Sequence, residues 1–257
     1  AARLGGFFHG EHPTRVSGYV HAPGAVDALP ARTVYTGNYV FTPPALRWFI
    51  PFAPLRLRMS GPSMGRLLQS ALGARFATAN LPLLHRRTLE STHCAEFRPG
   101  VVAEGVRVDL ADEFERQFFG DVMLFTMPRL VEAGYPQRPL TRAAIDAELA
   151  AVCEDLLERY EARQAAVRAR LAALTGLLHD PAAWWQSQPA LAGARAAFDH
   201  FVANIEHNFG PGSGAMARIR DASVRDAWLD RQAAALAALD ADRLAWHAAL
   251  GRLGQRS

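Results

Sequence analysis

TVYTGNYVFTPPALRWFIPFAPLRLRMSGPSMGRLLQSALGARFATANLPLLHRR, running from Thr33 to Arg87, is the stretch whose reading decides the fold. Its residue types predict strand, apolar turn, short helix, strand. Thr33 to Thr42 carries Val34, Tyr35, Tyr39, Val40 and Phe41, the β-branched and aromatic composition of a strand. Gly37 interrupts it. A glycine inside a strand marks a bulge, a close approach to the backbone, or simple relief of packing, and Asn38 beside it would point an amide at a bound ligand.

Pro43-Pro44 stops the strand, because proline has no amide hydrogen for a ladder. Ala45 to Leu57 is apolar, with Trp48, Phe49, Ile50 and Phe52, and is punctuated by Pro51 and Pro54. Covering the core is its ordinary role, and lining an acceptor pocket its functional one. Ser60-Gly61-Pro62 reads as a helix start, with Pro62 near the first helical position. Met64, Leu67, Leu68 and Leu72 recur at helical spacing, and Gly73 supplies the stop. Arg75 to Leu84 reads as a second strand, with Pro82 placing it at an edge or an end. His85-Arg86-Arg87 follow it. Loops beyond strand ends are where α/β folds build their sites. An imidazole there can ligate a metal, and two guanidinium groups can hold phosphate through paired hydrogen bonds. Taken without context, His85 is an ordinary surface histidine.

Residues 1–32 are rich in Gly, Pro and His and have no clear period, so they read as loops with one short strand. His9, Glu11 and His12 lie close together, but not at the spacing that makes zinc ligands converge on one helix face. The abrupt start leads us to expect a fragment of a longer chain. His93 and Cys94 lie in an irregular stretch with no orienting third group to make a nucleophile.

Asp109 caps a helix that carries Phe114, Phe118, Val122 and Phe125 on one stripe. Asp121 lies off that stripe, either a buried acid aimed at a site or a solvated residue. Pro128 is expected to break or kink this helix. From Gln137 the character changes. Thr141 opens a long helix to His179, with Ile145, Leu149, Val152, Leu156 and Tyr160, then Val167, Leu171, Leu174 and Leu178, at three- and four-residue spacing within each run and a Glu/Arg face opposite. Trp184 and Trp185 anchor a short segment. Ala190 to Phe209 is helical, 210–214 is a glycine-rich connector, and Ser223 opens a last helix. His200 and His207, seven apart, lack the Glu-x-x-His pattern of a di-iron bundle. The expected architecture is a partial α/β domain over 1–137 followed by an all-α hairpin or bundle over 138–257.

The chain has 257 residues, half of them hydrophobic and 21% charged, enough for one or two domains with a sizeable core. All 28 basic residues are arginine, a composition associated with GC-rich bacterial genomes. They alternate with acids rather than cluster, which argues against a nucleic-acid stripe at net charge +3. Two distant cysteines make no disulfide framework, so a reducing cytoplasm is expected. No apolar run approaches the roughly 18 residues that span a bilayer.

The order Thr36-Gly37-Asn38-Tyr39-Val40, then Gly65-Arg66-Leu67-Leu68, then Gly73-Ala74-Arg75-Phe76, then Leu81-Pro82-Leu83-Leu84-His85-Arg86-Arg87 resembles the later half of family-2-like glycosyltransferases of the GT-A fold. The match covers residues 33–90. It implies a mixed sheet with helices, a sugar transferred from a nucleotide-sugar to an acceptor, and Mn²⁺ or Mg²⁺ assistance. By that resemblance His85 corresponds to the late histidine that helps ligate the metal. Gly37 and Asn38 correspond to the strand facing donor sugar and acceptor, with Arg86 and Arg87 beside the substrate. The resemblance departs in two places. Where inverting members place Glu-Asp, with Asp as the base, this chain has Gly61-Pro62-Ser63, and serine is no general base without help. A retaining enzyme, a base from elsewhere (Asp121 being the candidate) or an inactive fragment are the alternatives. The donor-binding half with its Asp-x-Asp does not fit into residues 1–32. The rival reading is a non-enzymatic interaction module, a degenerate α/β remnant presenting helices for self-association or to a partner.

Overall fold

The computed structural model describes residues 28–34, 40–48, 52, 55–79 and 109–254. These residues are mostly helical. Strands β1 (Leu29–Pro30) and β2 (Ala77–Thr78) pair antiparallel, Leu29 opposite Thr78 and Pro30 opposite Ala77. The α-helices are α1 (Ser60–Leu72), α2 (Ala111–Glu132), α3 (Arg142–Leu178), α4 (Ala192–Phe209), α5 (Gly214–Arg220), α6 (Ala222–Ala237) and α7 (Leu239–Gly254). The helical half is therefore as expected. Of the two expected strands, the described residues 33–34 and 40–42 lie outside any strand, and of 75–79 only Ala77–Thr78 is one; 35–39 and 80–84 lie outside the described residues. Pro43 and Pro44 do more than end a strand, for they open a 3₁₀ helix over Pro43–Trp48. Proline's fixed φ suits a first helical turn as well as it stops a ladder.

The chain forms two compact units, each drawing residues from both sides of position 137. One contains 28–79, 116–157 and 221–254 among the described residues; the other contains 109–115 and 158–220. In the first, α2 buries Phe118, Phe119, Val122, Met123, Met127 and Leu130, all at one or three to four residues' spacing. The stripe is rotated from the expected one, and Phe125 is 47% exposed. Helix α2 also continues through Pro128 to Glu132. The ring costs one hydrogen bond, on the order of 3 kcal/mol, and the buried Met127 and Leu130 on either side of it offset that cost. On α3, Ile145, Leu149, Val152 and Leu156 are buried. Polar bonds join these helices to α6: Gln232 Nε2 donates to the Phe119 carbonyl at 2.7 Å and Arg142 Nη2 to Asp230 Oδ1 at 2.6 Å. The Phe119 ring stacks on Trp228 at 5.1 Å.

In the second unit, the turn 210–213 and α5 are held by the half of α3 beyond Glu158. Gln164 is 7% exposed, and its Nε2 donates to the carbonyls of Phe209 and Gly210, each at 2.9 Å. Its Oε1 accepts from Arg220 Nη2 at 2.9 Å. Asp109 caps α2 as expected, accepting from Ala111 N at 2.8 Å. Phe114 meets Tyr160 and Phe209 edge-on at 5.3 and 5.8 Å. Further along the hairpin, Ala197 and Phe198 of α4 pack with Leu174 and Leu178 of α3.

Candidate functional site

Helix α1 is the described centre of the stretch that carries the resemblance. It begins where the sequence places it, at Ser60, and stops at Gly73, whose φ of 54° is a conformation side chains disfavour. Its entry is unusual: Met59 is left-handed at φ 62°, no side chain caps the first turn, and no acid lies in it.

Two glycines fix what α1 packs against. Gly61 and Gly65 are four residues apart, so they share one face of the helix. A Cβ on Gly61 would run into the Val34 carbonyl, and one on Gly65 would lie 2.5 Å from the Arg32 oxygen. Val34 N also donates to the Gly61 carbonyl at 3.4 Å. Segment 31–34 is thus pressed onto the helix backbone, while Ala31 N donates to the Phe76 carbonyl at 3.0 Å. This segment leads directly into Thr36-Gly37-Asn38. The glycine spacing is visible in the sequence as part of a helix start; that it admits another backbone is not.

The adjacent face of α1 is apolar. Met64, Leu67, Leu68 and Ala71 line a cleft with Trp48, Leu239 and Arg243. Its volume of about 20 Å³ has room for about one water molecule, not for a sugar. The 43–48 turn is tied to α7, with Trp246 Nε1 donating to the Leu46 carbonyl at 2.7 Å and the Arg243 guanidinium 5.0 Å from the Trp48 ring centre.

Ser63 and Arg66 occupy the side of α1 turned away from the glycines, three residues apart and therefore neighbours. Ser63 is 1% exposed and its Oγ has no hydrogen-bond partner; Arg66 Nε is likewise buried and unpartnered. Such groups are rare, because a buried donor without a partner costs its full desolvation. They are the buried polar atoms of α1 that its packing leaves without a partner.

Gly37, Asn38, His85, Arg86, Arg87 and Cys94 lie outside the described residues. Asp121 is half-buried on α2, and Gln117 Nε2, one turn earlier, donates to its Oδ1 at 2.9 Å. That is an ordinary pair along a helix face. Cys153 is buried, and desolvation pushes its thiol up to about 11. A thiol held protonated at neutral pH is a core residue, not a nucleophile. Each described histidine has a polar neighbour: His179 with Asp199 at 2.9 Å, His200 with Asn204 at 2.9 Å, His207 with Asp109 at 3.5 Å and His247 with the Arg47 carbonyl at 3.1 Å. Among the described residues no group of three or more His, Cys, Asp or Glu side chains could hold a metal ion. Nor is any described helix long and apolar enough to cross a membrane. Comparison with protein-family models, curated proteins and solved structures finds no match to this chain.

Proposed function

We propose that residues 33–90 are the acceptor-side part of a family-2-like, GT-A-type glycosyltransferase, which moves a sugar from a nucleotide-sugar to an acceptor with Mn²⁺ or Mg²⁺. The observation that carries this reading is the glycine seat of α1. It holds the Gly65-Arg66-Leu67-Leu68 helix against the segment entering Thr36-Gly37-Asn38, and β2 follows the helix. Sequence order and close packing thus both support one neighbourhood of segment 31–34, α1 and β2. The unpartnered Ser63 Oγ and Arg66 Nε fit a site for an oxygen-rich substrate. In this reading His85 ligates the metal, Arg86 and Arg87 neutralise the departing diphosphate, and Gly37 and Asn38 face the sugar. The base is not Ser63, whose hydroxyl has no hydrogen-bond partner to take up its proton.

The test is release of nucleoside diphosphate from a panel of nucleotide-sugars by the longest natural chain that contains these residues, with and without Mn²⁺. Metal-dependent release is expected from one donor. His85→Ala should lower it by about 10–100-fold or more, since even indirect changes at a metal site cost that much. Release from no donor, or metal dependence unchanged by His85→Ala, would leave the interaction-module reading in its place.

A further inference from the structure

The turn between α3 and α4 differs in composition from the rest of the chain. Residues 171–194 contain a single Asp, Glu or Arg, namely Asp180, in a protein that is 21% charged. Solvated helix ends normally carry charge. Here the surface instead exposes Leu177 at 58% and Trp184 at 69%, and the small residues Ala172, Ala173, Gly176 and Ala182 are also exposed. The turn is nevertheless well built. Gln186 Nε2 donates to the Leu178 carbonyl at 2.7 Å, Trp185 Nε1 donates to the same oxygen at 3.4 Å, and the Trp184 and Trp185 rings meet edge-on at 5.8 Å. Asp180 commits an oxygen to Ala182 N at 2.9 Å, and Asp199 faces His179. Arg195 donates to the Gln186 carbonyl at 2.5 Å.

Charge returns in a defined order below the turn. Arg163, Arg170 and Leu177 are seven residues apart, and seven residues bring a helix back to nearly the same face. All three are exposed. Each step is about 10 Å along the axis. An apolar tip with Trp and Leu therefore stands one step above an exposed arginine and two above another. An acyl–headgroup boundary has this layering, with apolar groups entering roughly 5–10 Å and arginines reaching phosphates at the level above. A protein partner would need the apolar patch but gives no reason for the arginine ladder.

We propose that the α3–α4 turn is a docking element for an anionic membrane surface, which inserts Leu177 and Trp184 at the interface, sets Arg170 against lipid phosphates and holds Arg163 in the field above them. The element lies on the membrane and does not span it. The inference stands independently of the transferase reading.

The experiment is co-sedimentation of the whole chain with vesicles of phosphatidylcholine alone and with roughly 30% phosphatidylserine. Binding to the anionic vesicles, weakened at about 0.5 M salt, is expected. Leu177→Asp with Trp184→Ser should reduce it at least about tenfold. Arg170→Gln should reduce it on the order of fivefold and Arg163→Gln, farther from the surface, by less. All four positions are exposed, and circular dichroism checks that the variants remain folded. Absence of binding, or binding indifferent to the apolar pair, overturns the proposal. So does self-association in sedimentation velocity that depends on Leu177 and Trp184 without vesicle binding, which would make the occupant a second copy of this chain.

Discussion

Gly65 approaches Arg32 so closely that a methyl group on it would sit 2.5 Å from the Arg32 carbonyl oxygen. The contact is backbone on backbone, so no flexible side chain can yield. Gly65→Ala should therefore destabilise by at least the ~1–3 kcal/mol typical of overpacking, although alanine is the better helix former. Gly176 supplies the opposite sign, because it lies inside α3 and a methyl group added there would meet nothing within 4 Å. Gly176→Ala should stabilise by up to ~1 kcal/mol. Urea unfolding of both variants checks the pair, and equal shifts of one sign would show that the glycine seat does not constrain α1.

Tyr135 should report on packing at α6. Its hydroxyl donates to the Leu236 carbonyl at 2.8 Å, and the residue is 4% exposed. Tyr135→Phe should cost ~1 kcal/mol, the usual net worth of such a bond. Burial, followed by the nearby Asp240 carboxylate, raises the phenol well above its ordinary value of 10.0. The folded state thus holds the proton more tightly than the unfolded state. Its contribution is fully present below pH ~10 and is lost as pH climbs through the raised folded value. The Phe variant should show a shallower alkaline loss of thermal midpoint than the parent.

The helical half is legible in the sequence because its apolar residues keep a helical period and its ends are punctuated. Ser60 and Gly73 bracket α1, and Thr141 accepts from Ala144 N at 3.2 Å just before α3. Where punctuation is missing, the pattern misleads. The break at Ala238 divides the expected last helix into α6 and α7, yet it falls in an alanine-rich run with neither Gly nor Pro. Buried Leu236 and Leu239 on either side show that tertiary packing sets this turn. At the two described ends of the strand expected over 33–42, residues 33–34 and 40–42, strand is missing for the converse reason. Its composition suits a strand, but β-propensity reflects the neighbours available, and only two residues of β1 meet β2. Of the site, the α1 neighbourhood is legible as a motif, whereas the unpartnered state of Ser63 and Arg66 Nε is a property of packing that no spacing reveals.

Cys153 should behave as a core thiol. With Cys94→Ser in place, a thiol reagent at pH 8 should label the native protein far more slowly than the urea-unfolded chain. Desolvation first, opposed by the Arg225 charge, pushes the thiol from 9.0 to about 11. A raised folded value means that its stabilising share is complete below pH ~9 and declines as pH rises through about 11. Rapid native labelling would show that this part of α3 opens readily.

Asp221 decides where α6 starts, a position the residue pattern assigns to Ser223. Its Oδ1 accepts from Ser223 N at 2.8 Å, Ser223 Oγ at 2.7 Å and Val224 N at 3.3 Å. The Ser223 hydroxyl, then the two backbone amides, hold the carboxyl below its ordinary 3.8. A lowered folded value gives stability that is present above the unfolded value and fades as pH falls through the folded one. Asp221→Ala should lower the thermal midpoint at pH 7 by removing the cap. Asp221→Asn should keep most of the midpoint, since an amide oxygen still accepts, while flattening the loss below pH ~4. If the alanine and asparagine variants melt together, the cap contributes nothing and α6 is held by Gln232 and its apolar neighbours alone.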